Sequence, residues 1–391
     1  LREGLVVACA EGPGTRPSTA KLGQPDYNAY VLRTKVETDP RWADRTEQPW
    51  KELQSKALSA TPFQTWEWQS TWFRHFHGRQ HPHVWTAYEG GDLVALMPFV
   101  LTRAPWRVLK PMGAGCSDYL EPLVRPGYEN QASQALVEYL SDPATADLID
   151  LHQLRESCPL VPDLPSGGDR PSLLAPQATC LKLNLPPNFE AYARGLSKSL
   201  RYDVKRLERM ADGRVEVVLA DPQSAEAMFL EFLSHHQARW KRRGLPGAFV
   251  GKRRKSFHRE WVVRAAEAGM LRLAGLRVDG NPAGALYAMV WGKSCYFYQS
   301  GFSPEFKSLS PGTLLVADAI RRSIDEGLEV FDFLRGDEPY KRRWKPQNVE
   351  KNLRYLSAAP TLPGRLALAA SGTGFKLEGR LRARFEGRGL V

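Results

Sequence analysis

The sequence predicts an α/β fold (α+β layered) built as two similar domains, each a mixed sheet flanked by helices. Two observations carry this prediction. HVWTAYEGGDLVALMPFVL and LRLAGLRVDGNPAGALYAMVW both read as a strand, a Gly-containing turn and an apolar strand, and their turn glycines Gly90 and Gly280 stand 190 positions apart. The second half also shows helices, a strand meander, a helix and a further strand, which is the order of a layered α/β unit.

Along the chain, residues 1–30 carry Gly, Pro, Ser and Thr without periodicity and read as a flexible leader. The expected divisions are then 31–182, 183–358 and a basic tail over 359–391. Thr61-Pro62 precedes FQTWEWQSTWFRHF, an aromatic-rich helix opened by the Thr-Pro pair. The first hairpin follows. Cys158 to Pro176 is rich in Pro and Gly and reads as a long loop or linker. Helical patterns run over Glu190–Ala211, Ser224–Arg242 and Arg253–Ala268. Strands are expected near Leu271–Arg277, Ala283–Trp291 and Ser294–Gln299, a helix over Gly312–Glu326 and a strand over Val330–Leu334. Arg365 to Val391 reads as a short helix or an unstructured tail.

Composition narrows the function classes. With 42% hydrophobic and 25% charged residues among 391, the chain is ordinary globular material. The longest apolar run, Leu93 to Leu101, has nine residues and contains Pro98, well short of the about 20 a membrane span needs. The five cysteines are scattered and form no CxxC pair. A reducing, cytoplasmic setting fits them, and no signal peptide is evident. The formal charge of +11 favours anionic partners.

The segment from Tyr296 to Trp344 is richest in chemistry. Ser310, Pro311, Gly312 and Thr313 open an amphipathic helix, and a helix N-terminus presents unpaired N–H groups to an anion or simply needs a cap. The strand VFDFL ends in Arg335-Gly336-Asp337, with Tyr340 and Lys341 next. Ligands of open α/β sheets bind at such strand ends, and Lys341 there is placed to hold an oxyanion or a phosphate. Asp118 and Tyr119 follow a Gly-rich turn in the first half, as a candidate base and a candidate acceptor contact. Tyr296 and Tyr298 share one face of their strand, and Tyr298 is the candidate acid. His75-x-His77 with His81-x-His83 lacks a completing carboxylate, so no metal is expected. His235-His236 reads as structural. Arg201, Lys205 and Arg209 share a helical face, and Lys241-Arg242-Arg243 and Lys252–Lys255 add basic runs. These suit either a polyanion or solvent.

SKSLRYDVKRLERM, ARWKRRGLPGAF, DGNPAG, FSPEFKSLSPGTLL and FDFLRGDEPYKRRW resemble the second domain of the bacterial GNAT-type acyltransferases of cellulose and exopolysaccharide synthesis, the CelD/BcsL-like family. PFQTWEW and SDYLEPL resemble that family's first domain. The resemblance covers about residues 60–350. It implies two tandem GNAT-like domains, as in Fem-type transferases, and transfer of an acyl group from acetyl-CoA to a hydroxyl or amine of a small molecule or glycan. The candidate catalytic residues for such a transfer, read from the sequence itself, are Asp118, Tyr298 and Lys341. Gln299, Ser310, Gly312 and Thr313 would meet the cofactor, and Tyr119, Arg335, Asp337 and Tyr340 the substrate. The Phe306–Thr313 loop keeps one glycine of the Q-x-x-G-x-G/A pattern. Two alternatives therefore stand beside acetyl-CoA: an aminoacyl-tRNA donor, and a non-catalytic GNAT-shaped subunit.

Overall fold

A computed structural model describes residues 32–386 apart from 167–169, 212, 243 and 246. The expected leader, and Arg243 of the basic run, lie outside the described residues. The first half runs β1 (Arg33–Glu37), α1 (Trp42–Lys56), α2 (Trp66–Phe76), β2 (His81–Glu89), β3 (Asp92–Thr102), β4 (Val108–Pro111), β5 (Leu123–Val124), α3 (Glu129–Ser141), β6 (Leu148–Arg155), α4 (Leu160–Asp163) and β7 (Ser172–Asn184). Two helices follow, α5 (Phe189–Gly195) and α6 (Lys198–Ala211). The second half repeats the order with β8 (Val215–Leu219), α7 (Ala225–Arg242), α8 (Lys252–Glu267), β9 (Leu271–Val278), β10 (Asn281–Trp291), β11 (Ser294–Phe302), α9 (Pro311–Asp325), β12 (Val330–Arg335), α10 (Pro339–Arg342) and β13 (Asn348–Ala358). α11 (Leu362–Glu386) closes the chain.

All strands join one sheet in the order β1-β2-β3-β4-β6-β13-β7-β12-β11-β10-β9-β8, with β5 on β3. The halves exchange their last strands. β7 leaves the first half to pair antiparallel with β12, and β13 returns to pair with β6. β7 and β13 then pair with each other across the centre. The repeat extends to backbone detail: β6 and β12 each carry one left-handed non-glycine residue, Gln153 and Leu334, both at φ 55°.

Four sequence expectations change here. The Cys158–Pro176 linker contains α4 and the start of β7. The Glu190–Ala211 helix breaks at Leu196, where Ser197 Oγ caps the next helix by accepting from Leu200 N (3.2 Å). The Thr61-Pro62 pair opens a 3-10 turn with a Thr61–Gln64 capping box, and Thr65 caps α2. The C-terminal tail is a helix of 25 residues. No helix among the described residues is long and apolar enough to cross a membrane.

An aromatic wall joins the halves on one face of the sheet. Trp68 of α2 meets Phe257 and Trp261 of α8 edge to face, at 4.9 and 4.8 Å between centroids. Its indole N–H donates to Ser117 Oγ (2.8 Å). On the same face α7 lies directly on β11. A Cβ on Gly301 would stand 2.6 Å from His236 N, so only glycine admits that approach.

His236 is 1% exposed, and neither ring nitrogen has a partner among the described residues. Burial first, and Arg239 second, push its imidazole down to about 4. The unfolded chain therefore takes up this proton first as the pH falls. The contribution to stability is full above pH 6.5 and is lost as the pH falls towards 4, by about 3 kcal/mol. Urea unfolding of His236→Phe against pH is expected to show a shallower fall over that window than the parent. An unchanged profile would assign the fall to other groups.

Candidate functional site

The parallel ladder between β11 and β12 is short. It pairs Ser294 with Val330, Cys295 with Phe331 and Tyr296 with Asp332, and then stops. Beyond it the facing edges of Phe297–Phe302 and Phe333–Arg335 share no ladder bond among the described residues, leaving a wedge that opens towards the ends of both strands. β11 also bulges on its other side. Tyr287 pairs with Gln299 and Ala288 with Phe297, so Tyr298 has no cross-strand partner.

α9 begins at this wedge. Ser310 is left-handed (φ 44°), Pro311 takes the first helical position, and no side chain caps the helix. Ser310 O accepts from Thr313 N (2.8 Å) and Leu314 N (3.3 Å). A Cβ on Gly312 would meet the Phe302 ring at 3.6 Å, ordinary contact. Arg239 lies over the other part of that ring, 5.2 Å from its centroid.

The far wall is the end of β12. Asp332 is 2% exposed between the apolar residues Phe331 and Phe333 and accepts from Tyr119 Oη (2.8 Å) and Leu334 N (2.7 Å). The second bond supports the left-handed turn at Leu334, a conformation costing about 1–3 kcal/mol. Burial pushes the Asp332 carboxyl up, with Lys182 and the Tyr119 bond opposing. The turn delivers Arg335 to Asp118, whose carboxylate accepts from the Arg335 guanidinium and from Arg335 N (3.2 Å). Asn352 of β13 holds Asp118 O (2.6 Å) and Gln153 Oε1 (2.7 Å).

These contacts separate the expected site residues. Gln299 lies on the open edge of β11, Ser310, Gly312 and Thr313 open α9 with Gly312 against Phe302, Arg335 ends β12, and Tyr340 follows in α10. Tyr119 does not face the wedge: the side chain is fully buried, with Arg155 and Lys182 cations 5.1 and 5.4 Å from its ring, so it supports the wall from behind. Lys341 is 3% exposed, and its ammonium meets Arg335 O (2.6 Å), Gly336 O (3.3 Å) and Glu338 Oε2 (2.9 Å). The two carbonyl bonds, with the carboxylate alongside, tie Lys341 to the turn after β12, and Glu338 Oε2 itself has no hydrogen-bond partner among the described residues. Asp118 spends its carboxylate on Arg335. Asp337 pairs with Arg342 on the surface.

The two tyrosines differ sharply. Tyr298 Oη donates to Cys116 O (2.7 Å) beside the buried His258. Tyr340 is 41% exposed and its hydroxyl bonds to nothing among the described residues. Burial pushes the Cys116 thiol up to about 11, which keeps it protonated and unreactive. Sequence reasoning missed Asp332 and Asn352. An acid inside FDFL was the available signal, because a charge on the inward face of a buried strand must be satisfied.

Residues 194–342 match the family described as Acetyltransferase (GNAT) domain. The fold is of the GNAT type. The structure of FemX superposes with a TM-score of 0.60 at 11% identity, over 85% of this chain and 98% of that one. A C-terminal domain of a putative lysylphosphatidylglycerol synthetase from Agrobacterium fabrum gives 0.53 at 12%, covering 84% and 96%. L-PGS from Bacillus licheniformis gives 0.50 at 14%, covering 88% and 98%. No curated protein matches the sequence.

Within this GNAT-type fold the two wedges are not equivalent. In the first half β4 and β6 also pair over only two positions. There the gap is closed by Leu120 N donating to Gln153 O (3.0 Å). The matching helix α3 carries Glu129 in its first turn, where the carboxylate accepts from Gly127 N (2.8 Å). Neither helix has a side-chain cap, but the Glu129 carboxylate repels an anion at the end of α3, whereas the first turn of α9 carries no acid.

Proposed function

We propose that this protein transfers an acyl group from an acyl-CoA donor, held in the β11–β12 wedge, to a hydroxyl or amine. The observation that carries the reading is the parallel ladder that stops after Tyr296 and Asp332. An extended thioester arm laid there pairs with the open edge of β11, since Leu334 N and Arg335 N of β12 are already engaged by Asp332 and Asp118, and its diphosphate meets the uncapped end of α9. The bulge at Tyr298 releases backbone N–H from the ladder next to the reacting carbonyl, where it stabilises the oxyanion. As the acceptor oxygen or nitrogen bonds the carbonyl carbon and the C–S bond breaks, Tyr340, whose hydroxyl is unengaged, protonates the leaving thiolate, and the proton released by the acceptor restores the phenol. Asp118, Arg335 and Lys341 hold the wall between donor and acceptor. Arg254, whose guanidinium would stand 3.6 Å from a Cβ on Gly115, adds positive charge on the acceptor side. The CelD/BcsL-like resemblance favours a glycan or cell-envelope acceptor.

A second reading, an aminoacyl-tRNA donor, rests on the Fem-like layout and on the single glycine kept in the 306–313 loop. Thermal-shift titration with acetyl-CoA, free CoA and bulk tRNA separates the two. The expected result is a rise in melting temperature with acetyl-CoA that scales with its concentration. A salt-steep response to tRNA alone would overturn the acyl-CoA reading.

Gly312→Asp tests the helix end directly. The new side chain has room, and a carboxylate in the first turn stabilises α9 by about 0.3–1 kcal/mol. It also repels the donor's diphosphate. Calorimetry is expected to show acetyl-CoA affinity down by about 10-fold or more (about 1.4 kcal/mol) in a protein that melts no lower than the parent. Unchanged affinity would place the diphosphate elsewhere.

A further inference from the structure

α5 and α6 precede β8 and have no counterpart among the described residues of the first half. α6 buries Leu200 and Val204. Its other side carries Lys198, Arg201, Lys205 and Arg209 at helical spacings of three and four, together with Tyr202, which is 61% exposed. The acids of this helix are already engaged: Asp203 pairs with Arg343 and Glu208 with Arg321. Lys198, Arg201 and Lys205 form no ion pair among the described residues, so the flank keeps its positive charge. Tyr202, Lys205, Glu208 and Arg209 line a surface concavity of about 520 Å³.

Position gives this flank meaning. α6 packs on α9 and on the Pro304–Leu309 turn that precedes it. The Glu208–Arg321 pair ties the end of α6 to the third turn of α9. The first turns of α6 therefore lie towards the 304–309 turn and the uncapped end of α9. Free cations thus continue outward from the place where a donor's diphosphate would sit.

The geometry points to the basic flank of α6 as the seat of the 3′-phosphoadenosine end of a CoA-type donor, with Arg201 and Lys205 on the 3′-phosphate and Tyr202 against the adenine. The inference rests on the acyl-CoA reading proposed above. A ring face such as that of Tyr202 suits base stacking, worth about 1–3 kcal/mol. The extent of the strip favours a compact ligand over RNA. Lys198 to Lys205 spans about 10 Å of helix and offers three free cations, against the roughly 6–10 phosphate contacts of an extended nucleic-acid footprint.

The test compares acetyl-CoA with acetyl-3′-dephospho-CoA by calorimetry on the full chain. The parent is expected to bind the 3′-phosphorylated form at least about 10-fold more tightly. In the Arg201→Ala, Lys205→Ala double variant the preference falls to near unity, the dephospho form keeps its affinity, and the melting temperature holds. Equal affinities in the parent, or a preference that survives in the variant, would overturn the inference and leave the donor reading standing. Failure of either thioester to bind would overturn the donor reading and this inference with it. Salt-steep tRNA binding that the double variant weakens would reassign the flank to RNA and overturn the inference as well.

Discussion

Tyr340→Phe is expected to lower kcat by about 10²- to 10⁴-fold, the range for losing a positioned proton donor, while the melting temperature stays at that of the parent. Tyr340 as a residue is 41% exposed, burial of its phenol pushes the hydroxyl up, and that hydroxyl bonds to no described residue, so removing it breaks no hydrogen bond of the fold. Tyr298→Phe should behave in the opposite way. It removes the bond to Cys116 O, costs about 1 kcal/mol of stability, and leaves kcat within a few-fold. Steady-state kinetics on both variants, with unfolding curves alongside, decide the matter. If Tyr298→Phe loses turnover and Tyr340→Phe keeps it, the proton comes from Tyr298, as the sequence first indicated.

Asp118→Ala should cost both stability and turnover. The carboxylate is the acidic partner of Arg335 and also takes its backbone N–H. Stripping one member from a fully buried pair costs about 3–5 kcal/mol. The Arg335 side chain is 31% exposed, so about 2–3 kcal/mol is expected after allowing for water at the guanidinium. Turnover should fall further, because Arg335 begins the turn that Lys341 clamps and that leads to Tyr340. A double-mutant cycle with Arg335→Ala in urea reads the coupling. Additive losses would show that the pair does not hold this wall.

What could be read from the sequence follows the range of the forces involved. Hairpins depend on local turn chemistry, and EGGD and DGN mark both. α9 and β12 were also legible to within one residue, since a Pro-Gly start and a short apolar run between polar bounds are local signals. β7 was not. SLLAPQATCLKLN carries Pro176 and alternates weakly, and its strand form is imposed by β12 and β13, which lie more than 140 residues away. Likewise, Lys341 looked like a free cation because its partners are backbone oxygens, which no side-chain pattern announces. Asp118 looked like a base because Arg335 is distant in sequence. α11 was obscured by Gly372, Gly374 and Gly379, whose helix penalty argues for coil.

The strand exchange has a mechanical outcome. In a protein of two beads on a string, a cleft opens by bending a linker. Here each bead has its arm through the other's sleeve, because β7 is stitched to β12 and β13 to β6, and the two arms are stitched to each other. Swinging the halves apart would unzip the centre of the sheet, so opening at a hinge between them is forbidden. On the proposed acyl-CoA reading, substrates then enter past the rim of the wedge, between the 303–310 and 336–347 segments, with the sheet whole. The same stitching means that the span matched to the acetyltransferase family, cut out alone, would lose both arms and leave the β12 edge bare.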